Sequence, residues 1–140
     1  DATQVFPLGS KAFMNDGSEY LYVQNNLSAT ATQFYTYIID PNFKLTAAVS
    51  HSNGGSGAKP YRAGVVQTSN TFTDQYFGWV AIKGPMTCKF SGNTAVNAKI
   101  YTSATAGELD DGSASQTLIG GLYVNTSVAA SATGVAFANI

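Results

Sequence analysis

The side chains that could perform acid–base or metal chemistry are few and scattered in this chain. Its 140 residues include one histidine and one cysteine, with eight Asp and Glu residues. A catalytic base must be held within hydrogen-bond reach of its nucleophile, and His51 lies in a glycine-rich stretch, residues 50–60, that would not fix its position. One His and one Cys also leave too few nitrogen and sulfur ligands for zinc. We therefore predict a protein that is not an enzyme, with no catalytic residues, metal site or cofactor.

The acidic stretch at residues 108–112, Glu-Leu-Asp-Asp-Gly, is the remaining candidate for a site. Its carboxylates could bind Ca²⁺ through oxygen, but they lack the D-x-D-x-D-G spacing of an EF-hand loop. An Asp-Gly turn accounts for the same residues. We expect a turn here. The lone Cys88 alternates with polar neighbours, which is typical of a small buried hydrophobe.

The charge pattern excludes several classes of partner. Charged residues make up 11% of the chain and the formal net charge is −1, whereas a typical domain has about 25% charged residues. The seven basic residues are spread out and form no stripe for nucleic acid. No run of 18 apolar residues predicts a membrane-spanning helix. We expect no nucleic-acid or membrane partner, and such weakly charged surfaces are common on proteins that pack against other proteins.

The stretch that organises the predicted fold is residues 76–83, which contains the only tryptophan, Trp79. Its aromatic and β-branched residues are typical of a strand in a packed sheet. Because side chains alternate along a strand, we expect Phe77 and Trp79 to face one side and Val80 the other. Gly84-Pro85 is expected to end the strand. We predict that it is the central strand of the fold.

Short strand-like segments separated by turn residues recur along the rest of the chain. The other predicted strands are residues 19–24, 33–39, 62–67, 85–90, 96–102, 118–124 and 134–140, while residues 43–50 fit either a strand or a helical turn. This spacing predicts an all-β fold with one domain, either a β-sandwich or a β-barrel, jelly-roll or tulip-like, and leaves the two architectures open.

Residues 1–18 are predicted to form an extended N-terminal arm, and residues 19–140 the domain. Val5, Phe6 and Leu8 place apolar side chains around Pro7, which favours extended geometry. Such an arm either packs on its own domain or reaches a neighbouring molecule.

The strand at residues 33–39 is apolar on both faces. Such a strand is either central in the sheet or covered by another subunit. We therefore identify Phe34, Tyr35 and Tyr37 as candidate residues for an oligomer contact.

Four phrases along the chain together resemble a known family. They are Gly-Val-Val-Gln at residues 64–67, Tyr-Phe-Gly-Trp-Val-Ala-Ile-Lys-Gly at 76–84, Tyr-Thr-Ser-Ala-Thr-Ala-Gly-Glu-Leu-Asp-Asp at 101–111, and Ile-Gly-Gly-Leu at 119–122. In order and spacing they resemble the capsid decoration, or cement, proteins of tailed bacteriophages. The resemblance covers residues 62–124. Phe77 is inserted in the family's Tyr-Gly-Trp, which would shift the register by one residue.

The resemblance implies a structural role with no catalytic residues. It implies an all-β protein, often a homotrimer, on the outer surface of an icosahedral virion assembled in the host cytoplasm. The partner would be the major capsid protein, whose neighbouring subunits the protein clamps. On this hypothesis Val5, Phe6 and Leu8 dock on the shell or on an adjacent protomer. The alternative is a carbohydrate- or host-surface-binding β module, such as a fibre tip, using exposed tyrosines, Trp79 or the loop at residues 50–60.

Overall fold

The chain folds as an all-β protein, as its sequence predicts. The computed structural model describes residues 1–51, 62–69, 71–112, 118–119 and 121–139, and these form strands, turns and loops without a helix. The strands are β1 (Lys11–Phe13), β2 (Glu19–Asn25), β3 (Thr36–Ile39), β4 (Lys44–Ala48), β5 (Arg62–Val66), β6 (Phe77–Lys89), β7 (Tyr101–Thr102), β8 (Leu109–Asp110), β9 (Leu122–Val124) and β10 (Thr133–Asn139).

Five of these strands pair in a closed ring. β2 pairs with β4, β4 with β3, β3 with β5 and β5 with β6, and β6 returns to pair with β2. The β2–β4 pair is parallel and the other four are antiparallel. Ring closure satisfies both edges of every strand in it, which is the defining property of a barrel. β1 pairs with β2 at Glu19, Tyr20 and Leu21, and β4 pairs with β2 farther along, at Gln24 and Asn25.

Alternation along the strands fills the barrel. Leu21 and Val23 of β2 lie in one apolar cluster with Val80 and Ile82 of β6, and all four are buried. The intervening residue of β2, Tyr22, faces outward and lies opposite Trp79. The prediction that Trp79 and Val80 face opposite sides of a central strand is confirmed.

β6 does not end at Gly84-Pro85, contrary to our expectation. Its second half pairs with β10 in an unbroken register from Lys83 opposite Asn139 to Lys89 opposite Thr133. Gly84 has a φ of 80°, so the backbone turns out of the barrel without breaking the ladder. One strand of the eight-stranded sheet therefore contributes side chains to two different cores.

The second core lies between the β6–β10–β9 sheet and the segment that carries β7 and β8. Met86 and Cys88 of β6 contact buried side chains of the two other strands and of that segment. The main members from the segment are Phe90, Ile100 and Leu109, each 0% exposed. Cys88 is a buried hydrophobe, as predicted.

Of the two alternatives for residues 43–50, the structure has the strand, β4. Two predicted strands are shorter than expected. The strand predicted at 33–39 begins only at Thr36, because Phe34 has a φ of 66°. The strand predicted at 96–102 is reduced to β7, since Asn97 adopts a φ of 60° and the chain turns there. The glycine-rich stretch lies mostly outside the described residues.

Candidate functional site

Residues 1–9, which we call the strap, cross the outer face of the β2–β6 pair. At one end Asp1 and Phe77 exchange two backbone hydrogen bonds, each 2.8 Å long. At the other end the Gly9 amide donates to the Tyr22 carbonyl at 2.9 Å, and the Tyr22 amide donates to the Ser10 carbonyl at 2.8 Å. Phe77 belongs to β6 and Tyr22 to β2, so the strap is attached to both strands.

Between these attachments the strap lies on an aromatic surface. We call Tyr22, Phe77 and Trp79 the seat. The Phe6 ring centroid is 5.4 Å from those of Tyr22 and Trp79, and the Tyr22 and Trp79 centroids are 5.0 Å apart. The Val5 amide donates to the Tyr22 hydroxyl at 3.1 Å. Tyr22 is consequently 2% exposed although it points out of the barrel.

The side of the strap that faces away from the seat is apolar and open to solvent. Val5 is 61% exposed and Phe6 is 45% exposed, while Leu8 is half-buried. Phe13 and Met14, in and beside β1, are 69% and 52% exposed. A concentration of large exposed apolar side chains in one short segment is typical of a contact surface. Of the three residues predicted to contact a neighbour, Val5 and Phe6 have the surface to do so.

The candidate oligomer contact at Phe34, Tyr35 and Tyr37 is largely covered by the chain itself. Tyr37 is 4% exposed within the barrel core, and its hydroxyl accepts a hydrogen bond from the Thr32 amide at 2.7 Å. Phe34 and Tyr35 are half-buried. An oligomer contact here stays a prediction, and only Phe34 and Tyr35 retain surface for it.

Tyr35 has a partner that the sequence did not indicate. Its hydroxyl donates to Glu108 Oε1 at 3.2 Å, and Glu108 is only 9% exposed. Burial, together with the Glu108 carboxylate, raises the pKa of Tyr35. The Glu108 carboxylate therefore makes a hydrogen bond within the fold.

The other acids of the stretch also have separate partners. Asp111 Oδ2 accepts the Ala95 amide at 2.9 Å, and Asp110 Oδ1 accepts the Asp111 amide at 2.8 Å. Within the described part of the chain, no group of three or more His, Cys, Asp and Glu residues could hold a metal ion. The turn expected at residues 108–112 is in part strand β8.

The single histidine and the single cysteine of the sequence have different surroundings. His51 is half-buried in a turn, with Nδ1 3.4 Å from the Thr102 hydroxyl. Cys88 is 0% exposed, and burial raises the pKa of its thiol to about 12. The thiol therefore stays protonated at neutral pH, and the thiolate, not the thiol, is the reactive form.

Sequence reasoning missed the seat and a second aromatic surface. The alternation predicted that Phe77 and Trp79 share a face, but nothing local indicated that β2 and β6 pair or that Phe6 covers Tyr22 and Trp79. On β9 and β10, Tyr123 and Phe137 stack with centroids 5.6 Å apart, and Tyr123 is 49% exposed. Only the β9–β10 pairing brings these two rings together.

A buried polar residue was also missed. Asn25, at 0% exposed, donates to the Ala29 and Phe72 carbonyls at 2.9 and 2.7 Å and accepts the Leu27 amide at 3.0 Å. The sequence showed only an Asn-Asn pair at a strand end. The structure makes Asn25 a cross-link between two loops.

A comparison of the chain with protein-family models found no match, and a comparison with curated proteins found none either. In the described part of the chain, no helix is long and apolar enough to cross a membrane.

Proposed function

We propose that this protein is a non-enzymatic structural component of a virion. On this proposal it decorates the outer surface of an icosahedral phage capsid and stabilises the shell by clamping neighbouring major capsid subunits. The proposal is supported by the four phrases that resemble the decoration proteins. The structural observation that supports the proposal is the exposed apolar side of the strap, at Val5 and Phe6.

The phrases occupy the structural centre of the molecule. They fall on β5, on β6, on β7 and β8, and at the start of β9. Within them Val65 lies opposite Ala81 and Val66 opposite Val80, and all four side chains are buried. A likeness in these phrases is therefore a likeness in the scaffold rather than in a catalytic site.

The strap offers a contact that is apolar rather than charged. Burying a Val or Phe side chain contributes about 1.5–3 kcal/mol when burial is complete. One strap alone would bind weakly, but several copies held together would bind far more strongly through effective concentration. Because the chain has a net charge of −1, we expect binding to the shell to depend little on salt.

Cosedimentation with phage heads tests the proposal. Purified protein is mixed with expanded and unexpanded heads that lack a decoration protein, and bound copies are measured by densitometry. We expect saturable binding to expanded heads at a multiple of three copies per symmetry position. Absence of binding to both kinds of head would refute the decoration function.

A matched pair of variants tests the contact itself. Val5→Asp places a charge on the exposed side of the strap, and Val96→Asp places one at a loop residue of similar exposure, 49% against 61%. We expect Val5→Asp to weaken shell binding about tenfold or more, since a charge then faces an apolar contact. Val96→Asp should bind like the wild type. Equal binding by the two variants would remove the strap from the interface.

The stacked pair Tyr123 and Phe137 favours a second candidate function, a carbohydrate- or host-surface-binding module. An exposed aromatic ring held by a neighbouring ring is a rigid platform of the kind that ligand sites use. A glycan array with wild type and Tyr123→Ala tests it. Binding that the substitution abolishes, together with no binding to heads, would favour this function over decoration.

A further inference from the structure

The seat is a surface that the chain itself fills. We propose that the seat, Tyr22, Phe77 and Trp79, is a recognition site for an extended peptide segment that carries an aromatic residue followed by proline. The strap, residues 1–9, is the internal occupant that competes for it. The chemistry of the ligand is defined by this occupant, in which Phe6 provides the ring and Pro7 follows it.

The seat provides both sequence-independent and sequence-dependent contacts. The amide and carbonyl of Phe77 pair with one end of the occupant, and the Tyr22 hydroxyl accepts an amide near its middle. Such main-chain hydrogen bonds accept any extended segment, whereas a pocket for a side chain selects among segments. Here the selecting contact is Phe6, whose ring lies 5.4 Å from the rings of both Tyr22 and Trp79.

Proline after the aromatic residue favours the bound conformation. It restricts the preceding residue to extended geometry, so the occupant loses less conformational freedom on binding. In this chain Pro7 also begins a turn, in which the Ser10 amide and hydroxyl donate to the Pro7 carbonyl at 3.1 and 2.7 Å. The chain therefore passes from the strap to β1 through one short turn, which lies outside the strand pairings of the barrel.

The strap buries less of its apolar surface than the strands of the barrel do. Its apolar residues Val5 and Phe6 keep 61% and 45% of their surface exposed, so they contribute less than core side chains. Segments with few buried contacts open at a low free energy compared with the whole domain. A free peptide still competes with an internal segment at an effective concentration of about millimolar, so the wild-type chain should bind it weakly.

Displacement of the strap would change two surfaces at once, the seat and the apolar residues of the strap. A strap that leaves the seat exposes Tyr22 and Trp79 and frees its own apolar residues for another surface. The idea that a segment of the shell replaces the strap on the seat rests on the proposed function. Binding of the peptide by the seat does not. Failure to bind heads would therefore leave the peptide experiment unaffected.

The test uses the full chain and a labelled synthetic peptide of residues 1–9, DATQVFPLG. Peptide binding is followed by fluorescence anisotropy, and the seat by the emission of Trp79, the only tryptophan. Phe6→Ala weakens the internal occupant and leaves the seat intact. We expect this variant to bind the peptide about tenfold more tightly than the wild type, because the competent open state is more populated. A peptide with Ala in place of Phe should bind neither chain.

A second variant weakens the strap without changing Phe6 or the seat. The Val5 amide donates to the Tyr22 hydroxyl at 3.1 Å, and Val5→Pro removes this donor. We expect this variant also to bind the peptide more tightly than the wild type.

Three results would overturn the proposal. They are equal peptide binding by wild type and Phe6→Ala, no binding to either, and equal binding of the parent and Ala-substituted peptides. Circular dichroism and thermal melting establish that Phe6→Ala is folded. If it is not, the comparison of Val5→Pro with the wild type decides the question, and equal peptide binding by those two chains overturns the proposal.

Discussion

Replacing Gly84 by alanine perturbs the point where β6 passes from the barrel to the second core. Gly84 has a φ of 80°, in the left-handed region that L-residues with a Cβ atom occupy at a cost of about 1–2 kcal/mol. A Cβ atom at this position would lie 2.7 Å from Ser18 Cα and 2.8 Å from the Gly17 carbonyl oxygen. Both are backbone atoms of the turn between β1 and β2, so no side-chain rotation relieves the contact.

The expected loss combines these two effects. Overpacking of a close contact typically costs about 1–3 kcal/mol, and together with the backbone cost the free energy of unfolding should fall by about 2–5 kcal/mol. A domain of this kind has a total stability of about 5–15 kcal/mol. The substitution should therefore remove a large fraction of the stability, and partial unfolding at 37 °C is an expected consequence.

Gly17 provides a matched control in the adjacent turn. Its φ is 85°, and a Cβ atom there would meet nothing within 4 Å. Gly17→Ala therefore carries the same backbone cost without the steric contact. The gain that alanine brings by restricting the unfolded chain is common to both variants. The difference between the variants isolates the close approach of Gly84 to the Ser18 backbone.

Urea unfolding followed by Trp79 emission measures the two losses. We expect Gly84→Ala to be less stable than Gly17→Ala by at least about 1 kcal/mol, with unchanged m-values. Equal losses would show that the contact between Gly84 and Ser18 does not exist in solution. The close approach of β6 at Gly84 to the turn between β1 and β2 would then be wrong.

Three further predictions concern buried and charged groups. Asn25→Asp should lower the free energy of unfolding by about 3 kcal/mol, because a carboxylate cannot donate to the Phe72 carbonyl; urea unfolding measures this, and a near-neutral effect contradicts it. A hydrogen bond from Lys83 at 2.9 Å lowers the pKa of Glu19 from 4.5. The contribution of this bond to the free energy of unfolding is therefore present above pH 4.5 and is lost as the pH falls through the pKa of Glu19 in the folded protein. Glu19→Gln should therefore lower the melting temperature at neutral pH more than at acid pH, and an equal change at both would contradict it. Cys88 should resist thiol reagents in the native state and react fully in urea, whereas rapid native labelling would mean that the second core is open.

The local sequence pattern was sufficient to predict which side chains share a face of a strand. Period-two alternation determines which side chains share a face, since neighbouring Cβ atoms in a strand point to opposite sides. This is why the opposite orientations of Trp79 and Val80 and the burial of Cys88 were predicted correctly. For the arm, the pattern around Pro7 left open whether it packs on its own domain or reaches a neighbour, and the structure packs Phe6 on Tyr22 and Trp79.

Only the tertiary structure decided which other segments of the chain those strand faces pack against. Gly84-Pro85 is a turn signal in most contexts, and β6 continues through it because β10 pairs along its whole second half. The apolar faces of residues 33–39 fitted either a central strand or a strand covered by another subunit, and closure of the barrel buries Tyr37 within the chain. Pairing between segments far apart in sequence has no local signal. The seat therefore exists only because β2 and β6 meet, place Tyr22 opposite Trp79, and leave both rings beneath Phe6.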